Sequence, residues 1–567
     1  MTSLLTLYRR GLLAAILCAS TIAHAEEPSP VELAPTEVAP VEIEPVEVAP
    51  IVPAPVEVPA PSPIPPVAAH APALSPPARV GPADAMMLLG PHDHYRPLAS
   101  FDWKGMRIQI PFSLGGRAET VSDIPVDRYG GVYHAGAVLS PLIRIGARFE
   151  TLRPLGGKLM ILAEYEHDVP TGSWSSSTPI AGVGMPNEEA ITTQLRKGYA
   201  RFSVGPYFTI GGGFMTSHFG MGLLSNDGAH GWEPGSARFT DPRNGSLVLR
   251  GFIGTGPLTR AKIIATLAVD QVRKDDILLA GDSALQFIAS ALAGYGLPSQ
   301  GGIFIVHRRQ KSADGHDLKV TAIDLAGKLV RTWKKMTLTL EGEAAVIAGK
   351  TTLAPSVDYS EHTVLQVGAA ARASLAFGRA GTVLDLVYAS GDQNLSDSRV
   401  TGFKAESNFE EGLLLFRYMQ AAQTARAAIT AADPTLSAVP TANLDRVPSR
   451  GSLTNTVVVF PRFWVRPVSG LEVYGGPLFA FAPVKNVDPL NTTLAGGAPR
   501  NAANGNPGSY YGTELDLGVR YRALVHGVEL NLGAEGAMLF PGSAFQDEKG
   551  DAPRRVLGGR LILMVRL

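Results

Sequence analysis

Beyond residue 25 no stretch of this chain approaches 18 consecutive apolar residues, yet apolar side chains recur at every second position through much of it. A helical crossing of a bilayer needs about 20 mostly apolar residues, so helical spans are excluded. The alternation selects strands instead. A membrane barrel imposes period 2 over segments of about ten residues, because successive side chains face lipid and lumen in turn. From Glu514 to Arg522 the apolar set is Leu515, Leu517, Val519 and Tyr521, and the opposite set includes Glu514, Asp516, Arg520 and Arg522. A short turn at 524–527 leads into Val528, Leu530, Leu532 and Ala534, alternating with Glu529, Asn531 and Glu535, as in a hairpin.

The pattern holds upstream. Met336, Leu338 and Leu340 alternate with Thr337, Thr339 and Glu341. Val457, Val459, Phe463 and Val465 alternate with Phe460, Arg462, Trp464 and Arg466. Ile143, Ile145, Ala147 and Phe149 alternate with Arg144, Arg148 and Glu150. A soluble sandwich also alternates, but it rarely gathers so many long strands in one domain. The expected fold is all-β: a transmembrane antiparallel β-barrel over residues 81–567, closed so that no strand edge is left unpaired.

Candidate strands fall near 103–113, 136–151, 158–168, 193–204, 206–217, 245–255, 260–271, 301–311 and 317–327. Others fall near 335–349, 363–378, 381–391, 410–418, 452–466, 470–483, 509–523, 526–540 and 557–567. That makes about 18, an even number of a size that suits a water-filled lumen. Two segments carry helical spacing instead. One runs from Asp275 to Tyr295, with Asp275 and Asp276 at its start and Ile277, Leu278, Leu285, Ile288 and Leu292 recurring. The other, 412–431, is Ala-rich and stops at Asp433-Pro434, so it competes with the strand at 410–418. Strand parity conflicts between 272 and 362, so the loops there have no assigned side. Long loops at 170–192 and 218–244 are Gly-, Ser- and Asn-rich, and either fold inward or stay at the surface.

The N-terminus carries an export signal at 1–25. Arg9 and Arg10 precede an apolar run, and Ala23-His24-Ala25 forms a cleavage pattern. Cys18, the only cysteine, lies within that run. It follows Leu17 rather than the small residue a lipoprotein site needs, so the mature chain has neither a disulfide nor a thiolate metal site. Residues 26–80 repeat Pro-Val-Glu units, which favour an extended, disordered or polyproline II linker on the periplasmic side. It is either a spacer or a tether to a partner such as peptidoglycan or an export machine. Signal and linker remove three Arg and eight Glu. Residues 81–567 keep 47 basic against 43 acidic residues, too weak a bias to name a partner.

The segment Tyr511-Gly512-Thr513-Glu514-Leu515-Asp516-Leu517, the basic strand end at Arg520-Tyr521-Arg522, and Gly533 to Phe540 followed by Pro541-Gly542 resemble the closing hairpin of the alginate-export family of outer-membrane barrels. Tyr388-Ala389-Ser390-Gly391-Asp392, with Asp397 and Phe403 beyond it, adds to the resemblance. It spans about 381–567 and leaves out the first 100 residues and the stretches 272–300 and 418–450. Leu567 departs from the aromatic residue on which such barrels commonly end. The resemblance implies a channel that passes a polysaccharide across the outer membrane.

Transport needs a wet lumen of suitable charge rather than reacting groups. On the alternation, Arg144, Arg148, Arg250, Arg462, Arg466, Arg520, Arg522, Arg560 and Arg566 point inward, where guanidinium groups attract anions and hold carboxylates bidentately. Glu341, Glu343, Asp385, Glu514, Asp516, Glu529 and Glu535 share that face, so these Arg either brace the wall or form an anion track. Arg520 and Arg522 are expected beside Glu514 and Asp516. Enzymatic chemistry has little support. Ser217-His218 is one adjacent pair without a third group. His92-Asp93-His94 lacks further metal ligands nearby. Gly211-Gly212-Gly213 has no following Lys and reads as a bend at a strand end. No cofactor and no nucleic-acid site is expected. The leading expectation is export of an anionic polysaccharide; the alternatives are a diffusion porin and a tether between outer membrane and cell wall.

Overall fold

The computed structural model describes residues 98–169, 174–175, 193–240, 245–356, 358–395, 397–437, 440–525 and 528–567. The signal, the Pro-Val-Glu linker, His92 and His94 lie outside the described residues, as does most of 170–192.

Eighteen strands form the wall. They are β1 (Phe112–Val121), β2 (Gly136–Thr151), β3 (Leu159–Asp168), β4 (Gln194–Val204), β5 (Phe208–Thr216) and β6 (Leu247–Leu258). Next come β7 (Ile263–Lys274), β8 (Ser283–Ala293), β9 (Gln300–Lys311), β10 (Asp317–Trp333), β11 (Met336–Thr351) and β12 (His362–Phe377). The circuit ends with β13 (Ala380–Ala389), β14 (Thr456–Val465), β15 (Leu471–Phe481), β16 (Tyr510–Val525), β17 (Val528–Pro541) and β18 (Val556–Arg566). Neighbours in this order pair antiparallel, and β18 pairs back onto β1 with Arg560 opposite Glu119, so the barrel closes. A short hairpin, Ala99–Trp103 with Met106–Ile110, extends the wall beneath β1 and β2.

Of the two segments with helical spacing, Ser283–Ala293 is a strand, not a helix, whereas 412–431 is helical from Leu415, so the competing strand at 410–418 is absent. Leu285 and Phe287 face outward while Ala284 and Ile288 are buried against the lumen contents. With apolar residues on both faces, the alternation that marks a half-wet strand is lost. Asp275 does accept the N–H groups of Ile277 and Leu278, as a helix cap would, but the turn it caps leads into a strand. Restoring this strand also removes the parity conflict. Connections of two to seven residues all lie at one end of the barrel, and those at the other end run from five to 66. The Gly211–Gly213 run lies inside β5 rather than at its end; Gly213 has φ +136°, and a Cβ there would come within 2.3 Å of the Gly198 carbonyl oxygen.

The outer surface is banded. Phe149, Phe202, Tyr207, Trp333, Phe377 and Tyr521 are exposed toward the short-turn end. Tyr165, Phe287, Tyr388, Phe481 and Phe540 are exposed toward the long-loop end. Between these rings lie exposed aliphatic residues such as Leu267, Leu325, Leu517 and Leu561. Two aromatic girdles around an aliphatic belt are the surface a bilayer demands of a barrel.

The long-loop half of the lumen is packed. Segment 217–240 and segment 402–432 both turn inward, and Leu223, Trp232, Phe239, Phe403, Phe409, Leu413, Phe416 and Met419 join one core with Phe460, Trp464 and Tyr474 of the wall. Leu415–Gln420 is π-helical and continues as an α-helix, α1 (Ala421–Ala432). Each residue from Glu411 to Ala422 is buried. A helix apolar on most sides is stable only when surrounded, and the barrel wall provides that.

Candidate functional site

Two wall carboxylates hold the inward segments. Glu514 of β16 accepts the backbone N–H groups of Leu413, Leu414 and Leu415 at 2.5, 2.8 and 2.8 Å. These are the donors a helical start leaves without intrahelical partners, at the end where the backbone dipole favours negative charge. Glu343 of β11 does the same for segment 217–240, accepting from Met221, from Leu223 at 3.0 Å and from Leu224 at 3.3 Å.

Around these anchors several buried arginines are matched with carboxylates. Asp385 takes Arg372 at 2.7 and 2.6 Å and also Arg462. Glu535 takes Arg520 at 2.7 Å, Arg560 at 2.6 Å and the hydroxyl of Tyr474. Arg144 grips Asp168 with bonds of 2.6 and 3.1 Å, and Arg250 grips Asp270 with two of 2.7 Å. The same guanidinium groups reach the inward loop. Arg462 donates to the Ala237 carbonyl at 3.0 Å, Arg560 to that of Phe239, and Arg250 to the Ser217 hydroxyl at 2.5 Å. That last bond, with the His218 Nε2 lying 3.3 Å from the Gly220 carbonyl, gives Ser217 and His218 separate partners rather than a nucleophile–base pair. Burial, then the neighbouring His230, push the His218 imidazole down to about 3.

All the inward-facing site residues expected from sequence do face inward, in two environments. Arg144, Arg250, Arg462, Arg520, Glu514 and Asp516 are buried under the packed segments. Arg148, Arg466 and Arg522 lie toward the short-turn end, where the lumen is wetter. There the ion pairs include Arg148–Glu164 at 2.9 Å, Lys328–Glu341 at 2.9 Å, Arg466–Glu472 at 2.8 Å and Arg522–Glu529 at 2.7 Å. In these four the cation is the more exposed partner: 20% against 8%, 47% against 18%, 27% against 2% and 41% against 14%. Arg148 also reaches Glu150 at 3.3 Å, and there the carboxylate is the more exposed, 35% against 20%. Arg520 and Arg522 share the inward face with Glu514 and Asp516 but take cross-strand partners. Both reach across to β17, to Glu535 and Glu529, while Glu514 serves the inward helix.

Sequence reasoning missed Arg372, whose strand reads as Ala-rich on both faces, and the acids Asp168 and Asp270, which end alternating runs. It also missed a cluster formed by His218, Asp227 and His230 in segment 217–240, whose ligand atoms all lie within 4.8 Å of one another.

These features define a transmembrane β-barrel whose lumen is half filled by its own inward segments. No family model matches the chain, and no curated protein matches it. Among solved structures it is similar to several proteins of Pseudomonas aeruginosa. OpdQ aligns at 10% identity and TM-score 0.46, over 81% of this chain and 98% of that one. OccK11 (OpdR) aligns at 11% and 0.44, over 81% and 96%. OccK2 (OpdF) aligns at 11% and 0.44, over 81% and 97%.

Proposed function

We propose that this barrel is an outer-membrane channel for small anionic solutes. The observation that carries the reading is the asymmetry of four ion pairs at the short-turn end. In Arg148–Glu164, Lys328–Glu341, Arg466–Glu472 and Arg522–Glu529 the carboxylate is sunk toward the wall and the cation stands toward the lumen, and only Glu150 beside Arg148 runs the other way, so a solute meets a mainly positive surface although the charges nearly balance. The packed long-loop half favours small solutes over a polymer, since a polysaccharide would have to displace segments 217–240 and 402–432 together. Short turns in such barrels face the periplasm and long loops the outside. On that orientation Leu98, where the described residues begin, lies at the periplasmic end of the barrel.

The test is a planar-bilayer measurement on the full chain. A salt gradient should give a reversal potential of anion-selective sign, and liposomes should admit small carboxylates faster than neutral sugars of equal size. A cation-selective channel refutes the anion reading. Free passage of an anionic polysaccharide through the unaltered protein refutes the small-solute reading and restores polymer export.

A further inference from the structure

We propose that His218, Asp227 and His230 form a binding site for a divalent zinc-class ion that clips segment 217–240 in its inward fold. The surroundings of His218 fix its tautomer. Its Nε2 lies 3.3 Å from the carbonyl oxygen of Gly220. A carbonyl only accepts, so the ring proton belongs on Nε2. That leaves Nδ1 with its lone pair. Nδ1 is buried and has no hydrogen-bond partner, on a residue only 7% exposed. What faces it is Oδ1 of Asp227, 3.7 Å away, beyond hydrogen-bond range. A nitrogen lone pair and a carboxylate oxygen thus confront each other inside a packed lumen, an arrangement that a cation between them would relieve.

The third ligand is in place. His230 Nδ1 is hydrogen-bonded to the same Asp227 oxygen at 3.0 Å, its ring stacks on that of His218 with centroids 3.9 Å apart, and the three ligand atoms lie within 4.8 Å of one another, so small ring rotations bring both imidazoles to one ion beside the carboxylate. Donors at about 2.0–2.1 Å around a tetrahedral zinc stand about 3.3 Å from one another, and the separations of 3.0 and 3.7 Å bracket that edge. Two imidazoles and one carboxylate suit zinc rather than magnesium or calcium, which prefer oxygen. The outer partners also fit. A ligating histidine usually donates its other ring nitrogen to a backbone carbonyl, as His218 does to Gly220. Asp227 is oriented by the Ala229 N–H at 3.0 Å, and its own carbonyl takes Arg196 at 2.8 Å. His230, at 15% side-chain exposure, leaves an approach for the ion and a fourth position for water.

The experiment uses the full chain purified in detergent, stripped with chelator and dialysed against Zn2+. Metal analysis should find one ion per chain, and Co2+ in its place should give the visible absorption of a tetrahedral site. His218→Ala and His230→Ala should each weaken binding by at least roughly 10–100-fold, the loss that even outer partners of a zinc site produce. His316→Ala, on an exposed turn, should bind like the unaltered protein. Heat-modifiable migration checks that each variant is folded; should the alanines fail it, Asp227→Asn takes their place. No uptake by the unaltered protein overturns the proposal. So does binding that survives His218→Ala combined with His230→Ala, which would assign the ion to other ligands such as His92 and His94.

Discussion

Glu514→Ala should release the start of the inward helix and widen the channel. Glu514 alone supplies acceptors for three successive N–H groups at 2.5–2.8 Å, in a place closed to water. Hydrogen bonds to a charged acceptor contribute about 1.5–3 kcal/mol each. The full sum overstates the effect, because water enters once the segment loosens and neighbouring bonds are not additive. Taking about 3 kcal/mol for the group as a whole, the population with the helix start displaced rises by about 150-fold. Glu514→Gln keeps one acceptor oxygen but turns an NH2 toward the Leu415 N–H; it should cost about 1–3 kcal/mol and fall between alanine and the native residue. Single-channel recording reads this directly as time spent in a larger conductance level. A folded Glu514→Ala protein with an unaltered conductance distribution would show that the helix start is held by packing alone, and the anchor argument would fail.

Two further substitutions separate the buried charges from the wet ones. Asp385→Asn removes the main countercharge of Arg372 and Arg462 in a buried site, leaving Arg372 with Glu411 at 3.6 Å and Arg462 with the Ala237 carbonyl; removing one partner of such a group costs about 3–5 kcal/mol, so the urea midpoint of unfolding in detergent should fall clearly. Arg522→Gln breaks a pair whose cation is 41% exposed; stability should change by no more than about 1 kcal/mol, while anion selectivity drops at low salt and less so at high salt, where screening already weakens the field.

The wall was legible because a bilayer outside and charge inside impose strict alternation. Leu515, Leu517, Val519 and Tyr521 against Glu514, Asp516, Arg520 and Arg522 needed no tertiary knowledge. The count of 18 also came out right, but with 410–418 included in error, Ser283–Ala293 omitted, and the first strand expected at 103–113 where the wall strand is Phe112–Val121. The first two errors have one cause, namely that the lumen is partly filled. Where β8 meets Phe219 and its neighbours, its inner face becomes apolar and reads as helix; where 413–419 fills the lumen, an apolar run is neither strand nor half-wet helix. The arginines and the acids that brace them were placed on the correct face, but which acid meets which arginine was not legible, because pairing runs diagonally across strands. Gly518, not Arg520, lies opposite Glu535 in the register, and the long Arg520 side chain spans the difference. The histidine cluster was hidden because its members are spaced irregularly along a loop whose inward path is set by Glu343, more than 100 residues away.

The seam of the barrel has a consequence for how the chain folds. β1 and β18 lie about 450 residues apart in sequence, yet Phe112 and Leu567 exchange backbone hydrogen bonds of 3.0 and 2.8 Å. Hairpins can form as neighbours appear, but the ring cannot be sealed until both of its most distant strands are present. Contacts of such long separation make for slow folding. During that interval β1 and β17 each present a bare row of N–H and C=O groups, which hydrocarbon will not tolerate and which neighbouring chains can pair with. The barrel therefore cannot build up strand by strand in the membrane as a shorter stable ring. It has to be kept apart from its own copies until closure, and loss of β18 would open the whole circuit rather than trim it.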